Sequence, residues 1–308
     1  NMVKNLAPIV LFVYDRLEHT KQTVEALKKN QLASESILFI YSDAEKDESN
    51  TRNVNQVREY IKTINGFKKV IIKKREVNWG LADSIIDGVT KIVKEYDKII
   101  VLEDDMVTSP YFLKFMNEAL SFYEHEKKVW HITGWNYPIN TDGLSDVFLW
   151  RFMICWGWAT WSDRWKYFEK DVDKTIRDFS KKEIEYLNLD NHDNAWLQVL
   201  ANKKQKINTW AIFWYATICK QQGLCLNPSR PLILNIGFDG TGQHCNEESH
   251  FSTKPANTNK FIFTKDIQEN TFVVDKIKKF QLSSRKSFLV RVINKIKRMT
   301  NNTIKSLL

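Results

Sequence analysis

The sequence predicts an α/β protein with a mainly parallel central sheet that is covered by helices on both faces. Two observations support this fold class. Short apolar runs rich in Ile and Val alternate with segments of helical periodicity through the first half of the chain. The chain has 308 residues, of which 43% are hydrophobic and only 10 are Gly and 6 Pro. It can therefore bury a full core, and a disordered or collagen-like chain is excluded.

Four strands and four helices are expected in order along the first 126 residues. The apolar runs have the length of buried strands and occupy 9–14, 37–42, 70–73 and 99–102. The segments after them repeat apolar residues at helical spacing over 18–29, 53–64, 81–96 and 111–126. Because parallel strands end at one edge of a sheet, ligands of such folds bind beyond these ends. The second half is less regular and contains no evident repeat.

Polar residues directly follow the first three predicted strands. Arg16 could face a base or a phosphate, and Asp43 could accept a hydrogen bond from a ribose hydroxyl or a base. Asn78 follows the third strand. Asp43 could equally be a turn residue, and an ordinary surface residue is the alternative for Arg16. No GxGxxG follows the first strand and no GxxxxGK[ST] occurs, which argues against a Rossmann dinucleotide site and a P-loop.

Three consecutive carboxylates, Glu103, Asp104 and Asp105, follow the fourth strand. Adjacent acids repel one another and gain nothing from burial unless a positive group offsets them. Hard divalent cations bind carboxylate oxygens, so a metal that bridges phosphates is the favoured interpretation. A solvated acidic loop is the alternative.

Aromatic residues and a late histidine are weaker candidates. Trp156 and Trp158 lie around Gly157 in a Trp-rich segment, 155–165, and could stack on a sugar. The spacing of Trp158 with the later tryptophans is equally typical of a helical core. His244 closes a segment with three glycines and could complete a metal site, although a lone histidine is more often structural.

The net charge of +9 is concentrated at the C-terminus. Residues 276–308 contain ten basic and no acidic side chains, so the other 275 residues have a net charge of −1. Apolar residues recur at helical spacing over 288–299, which predicts a basic amphipathic helix on an anionic membrane. A helix docked on the body is the alternative. The four Cys show no CxxC spacing, so we expect a reduced, cytoplasmic chain. Because of the basic tail, we expect it at the inner face of the cell membrane.

Taken together, the motifs resemble those of nucleotide-sugar-dependent glycosyltransferases of the GT-A fold. Within them, the chain is similar to bacterial relatives of N-acetylglucosaminyltransferase I. The matching stretches are 8–16, 40–45, 78–89, 99–120, 155–165 and 227–244. The resemblance implies a transferase domain over 1–255, with a nucleotide-binding half at about 8–136 and an acceptor half at about 137–255. Residues 256–308 would form a C-terminal extension.

The resemblance also implies roles for individual residues. Asp105 would bind Mn²⁺ or Mg²⁺ on the diphosphate of a UDP-sugar, with His244 as a late metal or phosphate ligand. Asp104 would contact the ribose or the donor sugar, and Arg16 and Asp43 would hold the nucleoside. The full nucleotide-sugar set is Arg16, Asp43, Asn78, Glu103, Asp104 and Asp105. The acceptor set is Trp156, Trp158 and Trp214.

The chain departs from the family where the catalytic base is expected. Similar proteins have a Trp-Asp-x-x-Trp pattern whose Asp removes the acceptor proton, whereas this chain has Ala211 between Trp210 and Trp214. A positioned base contributes about 10²–10⁴ in rate. Three explanations are open, and we favour the first: an introduced Asp→Ala substitution, a naturally weakened homologue, or another acid such as Asp193 or Asp239.

The resemblance implies an inverting glycosyltransferase that transfers GlcNAc or a related hexose to a glycan or lipid-linked acceptor. Its product would be a surface polysaccharide or glycoconjugate. A sugar nucleotidyltransferase would need a Gly-rich basic loop after the first strand, and residues 14–17 do not form one. A non-catalytic glycan- or membrane-binding homologue is the other alternative. Nucleic-acid binding is disfavoured, because the body is neutral and has no recognised motif.

Overall fold

The computed structural model describes residues 5–238 and 254–284. Its strands are β1 (Ile9–Val13), β2 (Ile37–Ser42), β3 (Lys69–Lys74), β4 (Lys98–Glu103), β5 (Met106–Thr108), β6 (Val129–Thr133), β7 (Val147–Trp150), β8 (Trp158–Trp161), β9 (Leu224–Pro228) and β10 (Ile233–Asn235). Its helices are α1 (Leu17–Lys28), α2 (Glu48–Ile61), α3 (Gly80–Tyr96), α4 (Phe112–Phe122), α5 (Ser162–Trp165), α6 (Val172–Asp178), α7 (Lys181–Leu187), α8 (Trp196–Lys203), α9 (Ala211–Lys220) and α10 (271–284).

Eight strands form one sheet in the order β3-β2-β1-β4-β8-β6-β9-β7, and β5 pairs with β10 in a small second sheet. The first four strands are parallel, as is the β6–β9 pair, whereas β8 and β7 run antiparallel to their neighbours. The strand order reverses direction after β3. Right-handed crossovers therefore place α1 and α2 on one face and α3 on the other. The predicted α/β fold with a mainly parallel sheet is confirmed.

The inner strands β1, β2 and β4 form because their side chains are apolar on both faces, whereas β3 at the sheet edge is only partly buried. All five residues of β1 are buried, as are residues 99–102 of β4. Helix α2 begins five residues earlier than the periodicity indicated, because the Asp47 side chain accepts a hydrogen bond from Ser49 N and caps it. Helix α3 packs closely on β1 at Gly88, where a Cβ would lie 2.8 Å from the Phe12 ring.

The C-terminal segment 254–284 packs against the body. Val274 and Ile277 of α10 are buried, and Tyr123 Oη donates to the carbonyl of Thr264 at 2.9 Å. Arg151 forms an ion pair with Glu269 at 2.6 Å. The beginning of the predicted basic tail is thus a docked helix, whereas the predicted amphipathic stretch 288–299 lies outside the described residues. None of the helices within 5–238 and 254–284 is long and apolar enough to span a membrane.

Candidate functional site

A cavity of about 360 Å³ lies where the carboxyl ends of β1, β2 and β4 meet the beginning of α3. This is the position at which open parallel sheets bind their ligands. All six residues of the predicted nucleotide-sugar set line it. Its lining residues are Phe12, Val13, Tyr14, Asp15, Arg16, Tyr41, Asp43, Lys46, Asn50, Asn78, Gly80, Leu81, Ser84, Glu103, Asp104 and Asp105.

Arg16 joins the carboxylates of β4 to the end of β1. Its Nη2 donates to Asp104 Oδ1 and, at 2.8 Å, to Asp105 Oδ2, while its Nε lies 3.4 Å from Asp104 Oδ2. Thr23 Oγ1 of α1 donates to the backbone carbonyl of Asp104 at 2.7 Å. One guanidinium group therefore bridges two adjacent buried carboxylates, which supplies the positive charge that the acidic triplet requires.

Burial controls the protonation of this cluster. It raises the pKa of Glu103 to about 8, assisted by the negative charges of Asp105 and Asp104. Burial also raises the pKa of Asp104 to about 6, against the opposing charge of Arg16. Burial alone would lower the pKa of Arg16, but the charges of Asp104 and Asp105 outweigh it and raise this pKa. Both shifts favour the neutral forms of Glu103 and Asp104, and the positive charge of Arg16 opposes them.

Asp43 organises the loop that leads into α3. Its Oδ1 accepts a hydrogen bond from Trp79 N at 2.9 Å, and its Oδ2 accepts from Gly80 N at 2.8 Å and Asn78 Nδ2 at 3.2 Å. Asn78 also donates to the carbonyl of Ala44 at 2.7 Å. Asp43 and Asn78 are thus hydrogen-bonded to each other at the cavity wall. The sequence did not predict this structural role, because the two residues follow different strands. Their contact with a nucleoside stays a prediction.

Three buried polar atoms of the cavity lining have no hydrogen-bond partner among the described residues. They are Arg16 Nη1, Asp105 Oδ1 and Ser84 Oγ. Leaving a buried polar group unpaired costs about 1–3 kcal/mol, more when the group is charged, so such atoms indicate where a ligand binds. Ser84 was missed by sequence reasoning, because a serine in a helix carries no signal of its own.

Asp105 offers the atom that a divalent cation could take. Its Oδ1 is the unpaired acceptor, and Gly237 packs so closely on Asp105 that a Cβ would overlap Oδ2. Within 5–238 and 254–284, no group of three or more His, Cys, Asp or Glu could enclose a metal. The residues present fit a cation held by one carboxylate, with diphosphate and water as its other ligands. His244 lies outside the described residues.

Two of the three tryptophans expected to bind the acceptor lie in the core. Trp158 and Trp214 are 1% and 0% exposed, so the expectation that their side chains contact an acceptor was wrong. The two side chains instead pack within the aromatic core. Trp158 stacks on Trp210, with 5.0 Å between the ring centres. Trp156 is only partly buried and packs against Phe238 at 5.3 Å. It remains a candidate.

The buried His131 in this aromatic core predicts acid sensitivity. Its Nδ1 accepts a hydrogen bond from Trp214 Nε1, its Nε2 donates to the carbonyl of Ile154, and burial lowers its pKa to about 4. The unfolded chain, with a histidine pKa near 6.5, binds more protons between these values, so stability falls as pH decreases from about 6.5 towards 4. We expect His131 to account for a loss on the order of 2 kcal/mol between pH 7 and 4.5.

Urea denaturation of the unmodified protein and of His131→Asn at both pH values measures this loss. The variant should show a smaller decrease in the free energy of unfolding, even if it is less stable at pH 7. Equal decreases in the two proteins would show that His131 is not the group that titrates.

The predicted base position lies at the beginning of α9. Ala211 is the first residue of this helix and is partly buried. Just before it, Asn208 accepts a hydrogen bond from Lys170 Nζ. Burial lowers the pKa of Lys170, and the charge of Asp83 in α3 partly offsets this effect. The segment that leads into α9 is therefore in contact with Lys170, and Ala211 itself is not part of the cavity lining.

Asp193, the alternative acid, lies beneath the C-terminal helix. Gln281 Nε2 lies 3.4 Å from Asp193 Oδ2, and Asn194 N donates to Asp193 Oδ1 at 2.6 Å. Burial and the charge of Asp193 raise the pKa of Tyr137. Asp193 is not part of the cavity lining. Asp239, the other alternative, lies outside the described residues.

Three solved structures to which the chain is similar have low sequence identity to it. A mannosyltransferase from Pyrobaculum calidifontis, solved with GDP-Man and Mn²⁺, has 8% identity and a TM-score of 0.42 over 71% of this chain and 70% of its own. Residues 1–349 of TarS from S. aureus have 10% identity and a TM-score of 0.39 over 73% and 59%. The same fragment with UDP-GlcNAc has 14% identity and a TM-score of 0.29 over 41% and 33%. Such scores are too low to transfer a substrate or a mechanism.

The family comparison is more informative. No curated protein sequence matches the chain. The model of the GNT-I family matches residues 1–178, which contain β1–β4, the entire cavity lining and the Trp-rich segment 155–165. This match covers more than half of the chain and includes every residue of the predicted nucleotide-sugar set. The chain therefore belongs to the GNT-I family and is a glycosyltransferase that uses a nucleotide sugar.

Proposed function

We propose that the protein transfers GlcNAc or a related hexose from a UDP-sugar to a hydroxyl of a glycan or lipid-linked acceptor, with inversion at the anomeric carbon. The observation that carries this proposal is a pair of unpaired buried atoms in one cavity, one on a cationic and one on an anionic side chain. Arg16 Nη1 is a buried donor and Asp105 Oδ1 a buried acceptor, and neither has a partner within the described residues. A diphosphate with its divalent cation, Mn²⁺ or Mg²⁺, would satisfy both.

The residues of the cavity bind different parts of the donor. Arg16 donates to the phosphates or nucleoside, Asp104 accepts from a ribose or sugar hydroxyl, and Asp105 holds the cation, which supplies charge stabilisation to the leaving diphosphate when bound. In an inverting displacement, a carboxylate at position 211 would remove the proton of the acceptor hydroxyl as that oxygen attacks the anomeric carbon. With Ala211 this proton has no acceptor at that position, so transfer is slow.

Membrane association belongs to the same proposal. Residues 276–308 hold ten basic side chains and no acidic ones. In the described part, Lys278 pairs with Asp190 at 2.7 Å, while Phe272 and Leu282 are 61% and 43% exposed on α10. We propose that this end of the chain contacts anionic lipid at the cytoplasmic face of the cell membrane. There the enzyme would extend a surface polysaccharide or glycoconjugate on lipid-linked acceptors.

Removing the proposed metal ligand tests donor binding. In titration calorimetry, we expect the unmodified protein to bind UDP in the presence of Mn²⁺ and to bind it much more weakly after chelation. Asp105→Asn should abolish the metal-dependent part, because the amide has the same shape but lacks the charge. Asp142→Asn, an exposed loop variant outside the cavity, is the control and should bind normally. If the unmodified protein binds no nucleoside diphosphate with or without Mn²⁺, the proposed function is wrong.

Ala211 supports a second candidate, a non-catalytic glycan-binding homologue. Such a protein would bind a glycan acceptor without turning over any nucleotide sugar, even after a carboxylate is restored at position 211. Assays of sugar transfer with the restored variant separate the two functions.

A further inference from the structure

Ser84 holds a buried hydroxyl group that the proposed roles leave unused. The residue lies in the second turn of α3 and is 5% exposed. Its Oγ has no hydrogen-bond partner in the described part of the chain, not even the backbone carbonyl of Gly80 one turn earlier. A helical serine normally points to solvent or bonds to that carbonyl. This hydroxyl instead belongs to the wall of the cavity.

The neighbours of Ser84 form the apolar part of the cavity lining. Phe12 and Tyr41 stack with their ring centres 5.4 Å apart. One turn after Ser84, on the same side of α3, a Cβ at Gly88 would lie 2.8 Å from Phe12 and 3.3 Å from Tyr41. Ser84 therefore lies on the face of α3 that packs on these rings. Leu81 completes this part of the lining.

Two parts of the cavity lining differ in the chemistry that they can bind. One part holds Arg16 with the carboxylates of Asp104 and Asp105, which suits a diphosphate and its cation. Another part of the lining, beside Ser84, has the aromatic and aliphatic surface of Phe12, Tyr41 and Leu81, and the buried Ser84 hydroxyl there is unpaired within the described residues. A flat heterocycle fits such a wall, because its faces are apolar and its edge needs hydrogen bonds. A nucleoside diphosphate has these two parts at its opposite ends.

We infer that the Ser84 hydroxyl forms a hydrogen bond with the edge of the donor's nucleobase and helps to select which base the cavity accepts. This inference rests on the proposed function, since it requires the cavity to bind a nucleoside diphosphate. A site built to hydrogen-bond a ligand discriminates against analogues that leave its buried polar group unpaired. Ser84 therefore affects base preference, whereas Asp105 acts through its cation on the diphosphate of any nucleotide.

The variant Ser84→Ala distinguishes ligand recognition from a structural role. Without ligand, it removes an unpaired buried hydroxyl, so the melting temperature should be unchanged or higher. With Mn²⁺ present, calorimetry should show roughly three- to tenfold weaker binding of UDP, the effect of one hydrogen bond. Binding of inorganic pyrophosphate should be unchanged, and the preference among UDP, CDP and GDP should become smaller.

Ser162→Ala is the matched control. Ser162 Oγ lies 3.3 Å from Asp97 Oδ1, next to the start of β4 and therefore at the sheet edge opposite the cavity. It should leave all nucleotide affinities unchanged. Unchanged UDP binding by Ser84→Ala, or an equal loss of UDP and pyrophosphate binding, would overturn this inference alone. If the unmodified protein binds pyrophosphate and no nucleoside diphosphate, the inference and the proposed function fail together.

Discussion

Replacing Ala211 with Asp is expected to raise the rate of sugar transfer by about 10²–10⁴. The position is the first residue of α9, where the helix dipole stabilises a carboxylate in its charged form. A charged carboxylate can accept the proton of the acceptor hydroxyl as the new bond forms. The affinity for UDP should stay the same, because Ala211 does not line the cavity. Single-turnover assays with a saturating donor measure the gain directly.

The control for this variant is Ala211→Asn. Asparagine has the shape of aspartate and can also cap a helix, but its amide does not accept a proton at neutral pH. Only the Asp variant should gain activity. A parallel variant, Asp193→Asn in the Ala211 background, tests the alternative acid and should leave the residual rate unchanged. If the Asp and Asn variants are equally slow, position 211 does not hold the base.

The sequence was sufficient to predict the nucleotide half of the molecule, for a physical reason. Strands β1 and β4 are buried on both faces, so their apolar runs have no other stable placement, and parallel strands must end at one edge. Polar residues that follow such strands converge there whatever their distance in sequence. Arg16 and Asp104, 88 positions apart, are in contact for this reason.

Prediction from sequence fails where the same residue spacing is compatible with both a buried and an exposed position. Tryptophans spaced for a helix face suit a sugar-binding surface and a core equally, and only the packing of Trp158 on Trp210 decides between them. Asp43 accepts a hydrogen bond from a loop residue 36 positions away, and no sequence pattern near Asp43 predicts this contact. Ser84 is a candidate binding residue only because its buried hydroxyl has no hydrogen-bond partner within the described residues. Such relationships exist only in three dimensions.

Removing the charge of Arg16 is expected to have the largest effect on folding stability. Arg16 donates to both Asp104 and Asp105, and its side chain is only 18% exposed. Breaking a buried ion pair by removing one partner typically costs about 3–5 kcal/mol, because the remaining charge is buried without compensation. Arg16→Met keeps much of the side-chain volume, so urea denaturation should show a loss of this size. Calorimetry should also show the loss of UDP binding.

A control and a double variant separate the charge effect from lost packing. Lys62→Met removes an exposed ion pair with Glu59 on α2 and should barely change the urea midpoint. Adding Asp104→Asn to Arg16→Met should restore part of the stability, because removing both members of a buried pair leaves less uncompensated charge. The double variant should still fail to bind UDP, since the donor to the phosphates is absent. If Asp104→Asn only adds to the loss, Arg16 stabilises this site through packing and not by neutralising the carboxylates.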